Sequence, residues 1–158
     1  GLKILTETLL RLFREAPNIV ALKDAAANPG ETAVLIAAAP AQVEVYSGDD
    51  SLTLPLLASG IVGTVGVATH WTGADHQQMF ALWAKGDVAA ARAVNARMLE
   101  SFAFETGDDA PNPIPTKAMM RHLGFAVGQA RLPMGPAPAH VDTRAAEVWA
   151  NLQNARQQ

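Results

Sequence analysis

The sequence predicts an α/β fold with a parallel sheet over residues 1–71 and an all-helical remainder over residues 72–158. Helix and strand signals alternate as far as His70, which is the βα grammar of a parallel sheet. The strand candidates in "NIVALKDA", "QVEVYSGDD" and "IVGTVGVATH" are rich in apolar and small residues, as strands covered on both faces are. Beyond His70 the apolar residues keep only helical spacing, broken by Gly and Pro.

Taken in order, Leu5, Leu9, Leu12 and Phe13 recur at helical spacing among Glu7, Arg11, Arg14 and Glu15, and Pro17 stops that helix. "NIVALKDA" follows as a strand, "NPG" marks a turn, and Glu31 to Ala39 reads as a helix ended by Pro40. The second strand runs into the loop "YSGDD". "SLTLPLLASG" is a short helix closed by Gly60, and "IVGTVGVATH" is the third strand. Thr72 to Lys85 is a helix broken by Gly86, and Asp87 caps the next, which runs to about Glu105. "TGDDAPNPIP" is a loop, Thr116 to Leu123 a helix ended by Gly124, and Val141 to about Arg156 a last helix striped by Val141, Ala145, Val148, Trp149 and Leu152.

Composition narrows the function. Net charge is −3 and the twelve basic residues are scattered, which argues against a nucleic-acid partner. With no cysteine there is no disulfide, thiolate metal site or cysteine nucleophile, and a reducing compartment fits. No leader pattern and no apolar run of bilayer length is visible, so a cytoplasmic location without a membrane partner is expected. No His pair has zinc-ligand spacing, and the glycines at 60, 63 and 66 do not have dinucleotide-loop spacing, so neither metal nor cofactor is expected. Those glycines run into a strand, where close backbone approach or room for a ligand explains them.

The chemistry is expected at the C-terminal ends of the strands, where parallel α/β proteins collect ligands. Lys23, the loop Tyr46–Ser47–Gly48–Asp49–Asp50, and Thr69 with His70 all fall there. A lysine withdrawn from water loses the solvation that favours its charged form. The neutral amine can attack a ketone and become an iminium, the electron sink of class I aldolases, without a metal. The bland alternative is that Lys23 snorkels its amine to solvent or pairs with Asp24 or Asp49. Ser47 reads as a turn residue, His70 as a hydrogen-bonded structural histidine, Asp49 and Asp50 as caps for the following helix, and Trp71, Trp83 and Trp149 as core or interface.

With "NIVALKDA", "YSGDD", "GIVGTVGV" and "PNPIPTK" placed in order, the chain resembles the C-terminal half of the dihydrodipicolinate synthase family over Leu9 to about Pro136. That family lies within the pyruvate-dependent class I aldolases, which include N-acetylneuraminate lyase. The resemblance implies a (β/α)8 TIM barrel with a helical extension. Residues 1–71 would carry strands six to eight, and residues 72–158 the last barrel helix and the extension found in tetrameric members. It makes Lys23 the Schiff-base lysine and puts Val65 and Gly48 at bound pyruvate. It implies an aldehyde as second substrate, L-aspartate-4-semialdehyde on the way to diaminopimelate and lysine, and a homo-oligomer. "GTVGV" departs from the commoner Ile-Ser-Val of the eighth strand.

The family's catalytic tyrosine, paired threonines and Tyr-x-x-Pro-x-Arg-Thr-Gly segment belong to its N-terminal half, and Tyr46 is none of them. Three strands cannot close a barrel, and Gly1 falls where the last glycine of that segment would be. The N-terminal half is therefore an expected partner. Competing readings are a pyruvate aldolase for another aldehyde and a non-catalytic half with an unpaired sheet edge.

Overall fold

The computed structural model describes residues 2–107 and 110–157. Gly1, expected as the last glycine of the family's Tyr-x-x-Pro-x-Arg-Thr-Gly segment, and Asp108 and Asp109 of the "TGDDAPNPIP" loop lie outside the described residues, as does Gln158. The chain divides into two compact units, Gly1–Gly66 and Val67–Gln158.

The first unit alternates α1 (Thr6–Glu15), β1 (Ala21–Asp24), α2 (Pro29–Ala38), β2 (Glu44–Ser47), α3 (Thr53–Leu57) and β3 (Gly63–Thr64). The strands form one parallel sheet in the order β1-β2-β3. Glu7 in the first turn of α1 and Arg14 in its last complement the helix dipole, and Phe13 is its buried residue. Asn28 caps α2, its Oδ1 accepting from Glu31 N at 3.2 Å, with Pro29 at the start, where its missing N–H costs nothing. Gly60 takes φ +101° after α3, a conformation that glycine alone adopts freely. Val45 and Ser47 are buried on one side of β2, while Glu44 is exposed on the other, the strict alternation of a strand.

The second unit is helical: α4 (Thr69–Ala84), α5 (Val88–Glu105), α6 (Ile114–His122) and α7 (Ala139–Arg156). Asp87 Oδ1 caps α5 by accepting from Ala90 N at 3.0 Å, as the sequence predicts. Gly124 follows α6 at φ +89°. Met79, Met98, Met119, Val148 and Leu152 form its fully buried centre. Among the described residues no helix is long and apolar enough to cross a membrane.

One boundary departs from the sequence reading. The third strand is short, and Thr69 and His70 open α4 instead of ending β3. His70 Nδ1 lies 3.0 Å from Val67 O and Thr72 Oγ1 donates to Ala68 O at 2.8 Å, so local hydrogen bonds spend these polar groups on a helix start.

Candidate active site

The candidate site is the uncovered face of the three-stranded sheet. Register aligns Lys23 with Tyr46 and Tyr46 with Gly63, so one row crosses all three strands. Val65 N donates to Ser47 O at 2.8 Å, which continues the ladder past β3, and alternation puts Val65 on the side of Gly63. Lys23, Gly48 and Val65, the residues singled out from the sequence, therefore meet on one face. Val65 is 49% exposed there, a large apolar side chain open to solvent.

Gly48 is in direct contact with the lysine. A Cβ at that position would lie 2.8 Å from Lys23 Cε and 2.8 Å from Ala25 Cβ. The lysine stem thus runs over the Gly48 backbone, and any side chain there would displace it. Gly63 does the same for Tyr46, whose Cδ1 and Cε1 lie 3.0 Å from where a Cβ would be. At Gly66 the crowding comes from Asp50, whose carboxyl carbon would be 2.6 Å from a Cβ. Close approach is therefore what Gly63 and Gly66 supply.

The ion-pair alternative for Lys23 is not realised. Asp24 accepts from Thr32 Oγ1 at 2.6 Å and from Ala26 N at 2.9 Å, which ties the end of β1 to α2. Asp49 accepts from Ser51 N at 2.9 Å and Ser51 Oγ at 2.6 Å. Both carboxylates hold turns. Lys23 makes no ion pair or side-chain hydrogen bond among the described residues, and it lines a cleft of about 580 Å³ with Lys3, Leu9, Leu22, Asn28 and Glu31. Lys3 and Glu31 form an ion pair in this cleft. The expectation that Lys23 is withdrawn from water is corrected here: it is exposed, because within the sheet unit no described element packs over the end of the side chain.

A hydroxyl chain fixes the loop under the lysine. Thr53 Oγ1 donates to Asp49 O at 3.1 Å and lies 3.2 Å from Thr64 Oγ1, which donates to Ser47 O at 3.2 Å. Ser47 Oγ donates to Asp49 O at 2.7 Å, the turn role read from the sequence. Sequence reasoning missed the pair Glu44–Tyr46, in which Tyr46 OH donates to Glu44 Oε2 at 2.6 Å. The spacing of two in "EVY" was the available signal, since it puts both side chains on one face.

A model of the dihydrodipicolinate synthetase family matches residues 1–151. The chain belongs to that family. It is 44% identical over 141 residues to 4-hydroxy-tetrahydrodipicolinate synthase of Cyanothece sp., a match covering 88% of this chain and 46% of that protein. The synthase of Bacillus subtilis is 40% identical over 130 residues, covering 82% and 44%. Among solved structures, the family member from Cyanidioschyzon merolae, crystallised with lysine bound, superposes with a TM-score of 0.91 at 35% identity, over 97% of this chain and 51% of that one. The Bacillus anthracis enzyme gives 0.87 at 33%, over 96% and 50%. The chain spans about half the length of the curated relatives it matches.

Proposed function

We propose that this chain supplies strands six to eight of a (β/α)8 barrel and the Schiff-base lysine of a 4-hydroxy-tetrahydrodipicolinate synthase. On this reading residues 1–71 are the barrel part. Residues 72–158 are the last barrel helix and an extension through which copies associate. The observation that carries it is Lys23, unpaired at the C-terminal end of β1, its stem laid across Gly48 beside exposed Val65. The names of the relatives support the synthase over an aldolase for another aldehyde.

The chemistry follows from the amine. Neutral Lys23 Nζ adds to the keto carbon of pyruvate, water leaves, and the iminium draws electrons from the neighbouring methyl carbon. Loss of a proton there gives an enamine, whose carbon attacks the aldehyde of L-aspartate-4-semialdehyde. Val65 offers an apolar surface for the methyl side of the keto acid, and Gly48 leaves the space beside the amine. The groups that relay protons come from outside this chain, from five further strands that cover the open face and withdraw Lys23 from water. Treatment with pyruvate and borohydride, followed by peptide mapping, tests the reading. Lys23 should be labelled ahead of Lys3, Lys85 and Lys117, and Lys23→Ala should abolish that adduct. Equal labelling of all four lysines refutes it.

The exposure of Lys23 favours one second reading, a non-catalytic half. Gel filtration with intact-mass analysis separates the two. A lone compact monomer without pyruvate binding supports this second reading, and a co-purifying N-terminal piece supports the first.

A further inference from the structure

The reaction proposed above has no use for Glu44 and Tyr46, yet both stand on the face of Lys23. Adjacent strands lie about 4.8 Å apart, so Lys23, Tyr46 and Gly63 are immediate neighbours across the sheet. Two glycines decide where the two long side chains go. The Tyr46 ring lies against the bare α-carbon of Gly63 and leans toward β3, whereas the Lys23 stem lies over Gly48. Ring and stem thus occupy separate lanes on the face. The Glu44 carboxylate, two residues back, receives the Tyr46 hydroxyl and holds the ring from its far end.

The electrostatics of the pair agree with this parking. The hydrogen bond to Glu44 raises the pKa of the phenol, with smaller contributions from lost solvation and from the carboxylate charge. The phenol therefore stays a protonated donor that faces its carboxylate. On this face β1 presents Lys23, and β3 presents Gly63 with Val65 just past its end, neither of which titrates.

We propose that Tyr46, seated on Gly63 and anchored by Glu44, is a positioning residue for Lys23: it is the fixed wall that keeps a lane open beside the amine for a small keto acid, and its hydroxyl takes no part in the proton transfers. This rests on the reading of Lys23 as the imine-forming lysine. The wall predicts a specific rescue. Gly63→Ala puts a methyl group where the ring lies and pushes the ring back into the lane of the lysine. Pyruvate–borohydride labelling of Lys23 should then slow about tenfold, the effect of a mid-range coupling between contacting side chains. Adding Tyr46→Leu removes the ring and should restore the rate of the Tyr46→Leu single variant. Labelling at the wild-type rate in Gly63→Ala, or a double variant as slow as Gly63→Ala, overturns the proposal.

A second readout does not depend on pyruvate. Tyr46 is the only tyrosine of the chain, so its ionisation is followed alone by ultraviolet absorbance. Glu44→Gln should move that titration to lower pH, and an unmoved midpoint overturns the anchoring. If wild-type Lys23 takes no label while the tyrosine titration behaves as stated, the Schiff-base reading is what has failed, and the positioning role falls with it.

Discussion

In the helical unit Met79, Met98, Met119 and Leu152 are all but inaccessible to solvent, and Leu99, Phe125 and Leu132 are exposed around that core, whereas in the sheet unit Val65 is exposed on the very face of Lys23. The sheet unit buries Val45 and Ser47 on one side and leaves Lys23 and Glu44 open on the other. Exposed apolar surface of that kind marks a face built to be covered. The side chains with chemical potential, Lys23 foremost, stand on this unfinished face, and the finished unit carries ordinary core and surface. The contrast sorts the effects of substitutions. In the helical unit they should act on stability, and on the open face they should act on reactivity.

The sharpest test of the finished unit is Asp75. Its carboxylate is 2% exposed and accepts from Arg97 Nε at 2.8 Å and Arg156 Nη2 at 2.5 Å. Arg156 also donates to Trp71 O at 3.2 Å and stacks 5.3 Å from the centre of the Trp149 ring. One carboxylate thus clasps α4, α5 and α7. Asp75→Ala leaves two guanidinium groups facing each other without it and should cost about 3 kcal/mol, read from chemical denaturation. Burial alone would raise the pKa of Asp75, but the hydrogen bonds and charges of Arg156 and then Arg97 outweigh it and lower it. The folded-state pKa lies below the unfolded value of about 3.9, so this stability is present above that pH. It is lost as pH falls through the folded pKa. Asp75→Asn should lose that acid limb and unfold with a flatter pH profile below about pH 4; an unchanged acid limb would show that the clasp contributes nothing.

A smaller effect is expected where the sheet unit is itself closed. Asp50 is 1% exposed and its carboxyl carbon sits 2.6 Å from where a Gly66 side chain would start. Gly66→Ala should therefore destabilise by about 2 kcal/mol, the usual cost of forcing atoms into a packed site. Thermal unfolding within experimental error of wild type would mean that Asp50 moves aside freely, and that this end of the face is as open as the Lys23 end.

The same division explains what was legible in the sequence. Periodicity and punctuation reveal local structure, so the βα alternation and the stops at Asp87 and Gly124 match their observed places. The third strand was overread because its apolar run continues into Val67 and Ala68, while the hydrogen bonds that start α4 leave no trace in hydropathy. Lys23 and Gly48 lie at strand ends, a position that local pattern reveals, whereas Val65, and the place of Gly48 beside a substrate, follow only from the family resemblance. The Asp75 clasp joins residues far apart in sequence, and the seating of Tyr46 on Gly63 depends on strand register. Neither distance nor register is encoded in spacing along one chain, so both needed coordinates.

The smallest expected effect lies in the loop that leaves β1. Ala27 has φ +54°, the left-handed region, where an L-residue with a Cβ costs roughly 1–2 kcal/mol. The loop holds this shape because its neighbours are fixed: Asp24 accepts from Ala26 N, and Asn28 caps α2. Ala27→Gly removes the clash but also frees the unfolded chain, a loss of about 0.4–1 kcal/mol. The difference leaves a net gain of about 0.5 kcal/mol, within reach of denaturant titration of paired samples. Because Ala27 is four residues from Lys23 and on no cleft or ladder used above, pyruvate labelling of Lys23 should be unchanged. A drop in labelling with the gain in stability would mean that the strained turn helps aim the lysine, and the separation between reactive face and supporting loop would then be wrong.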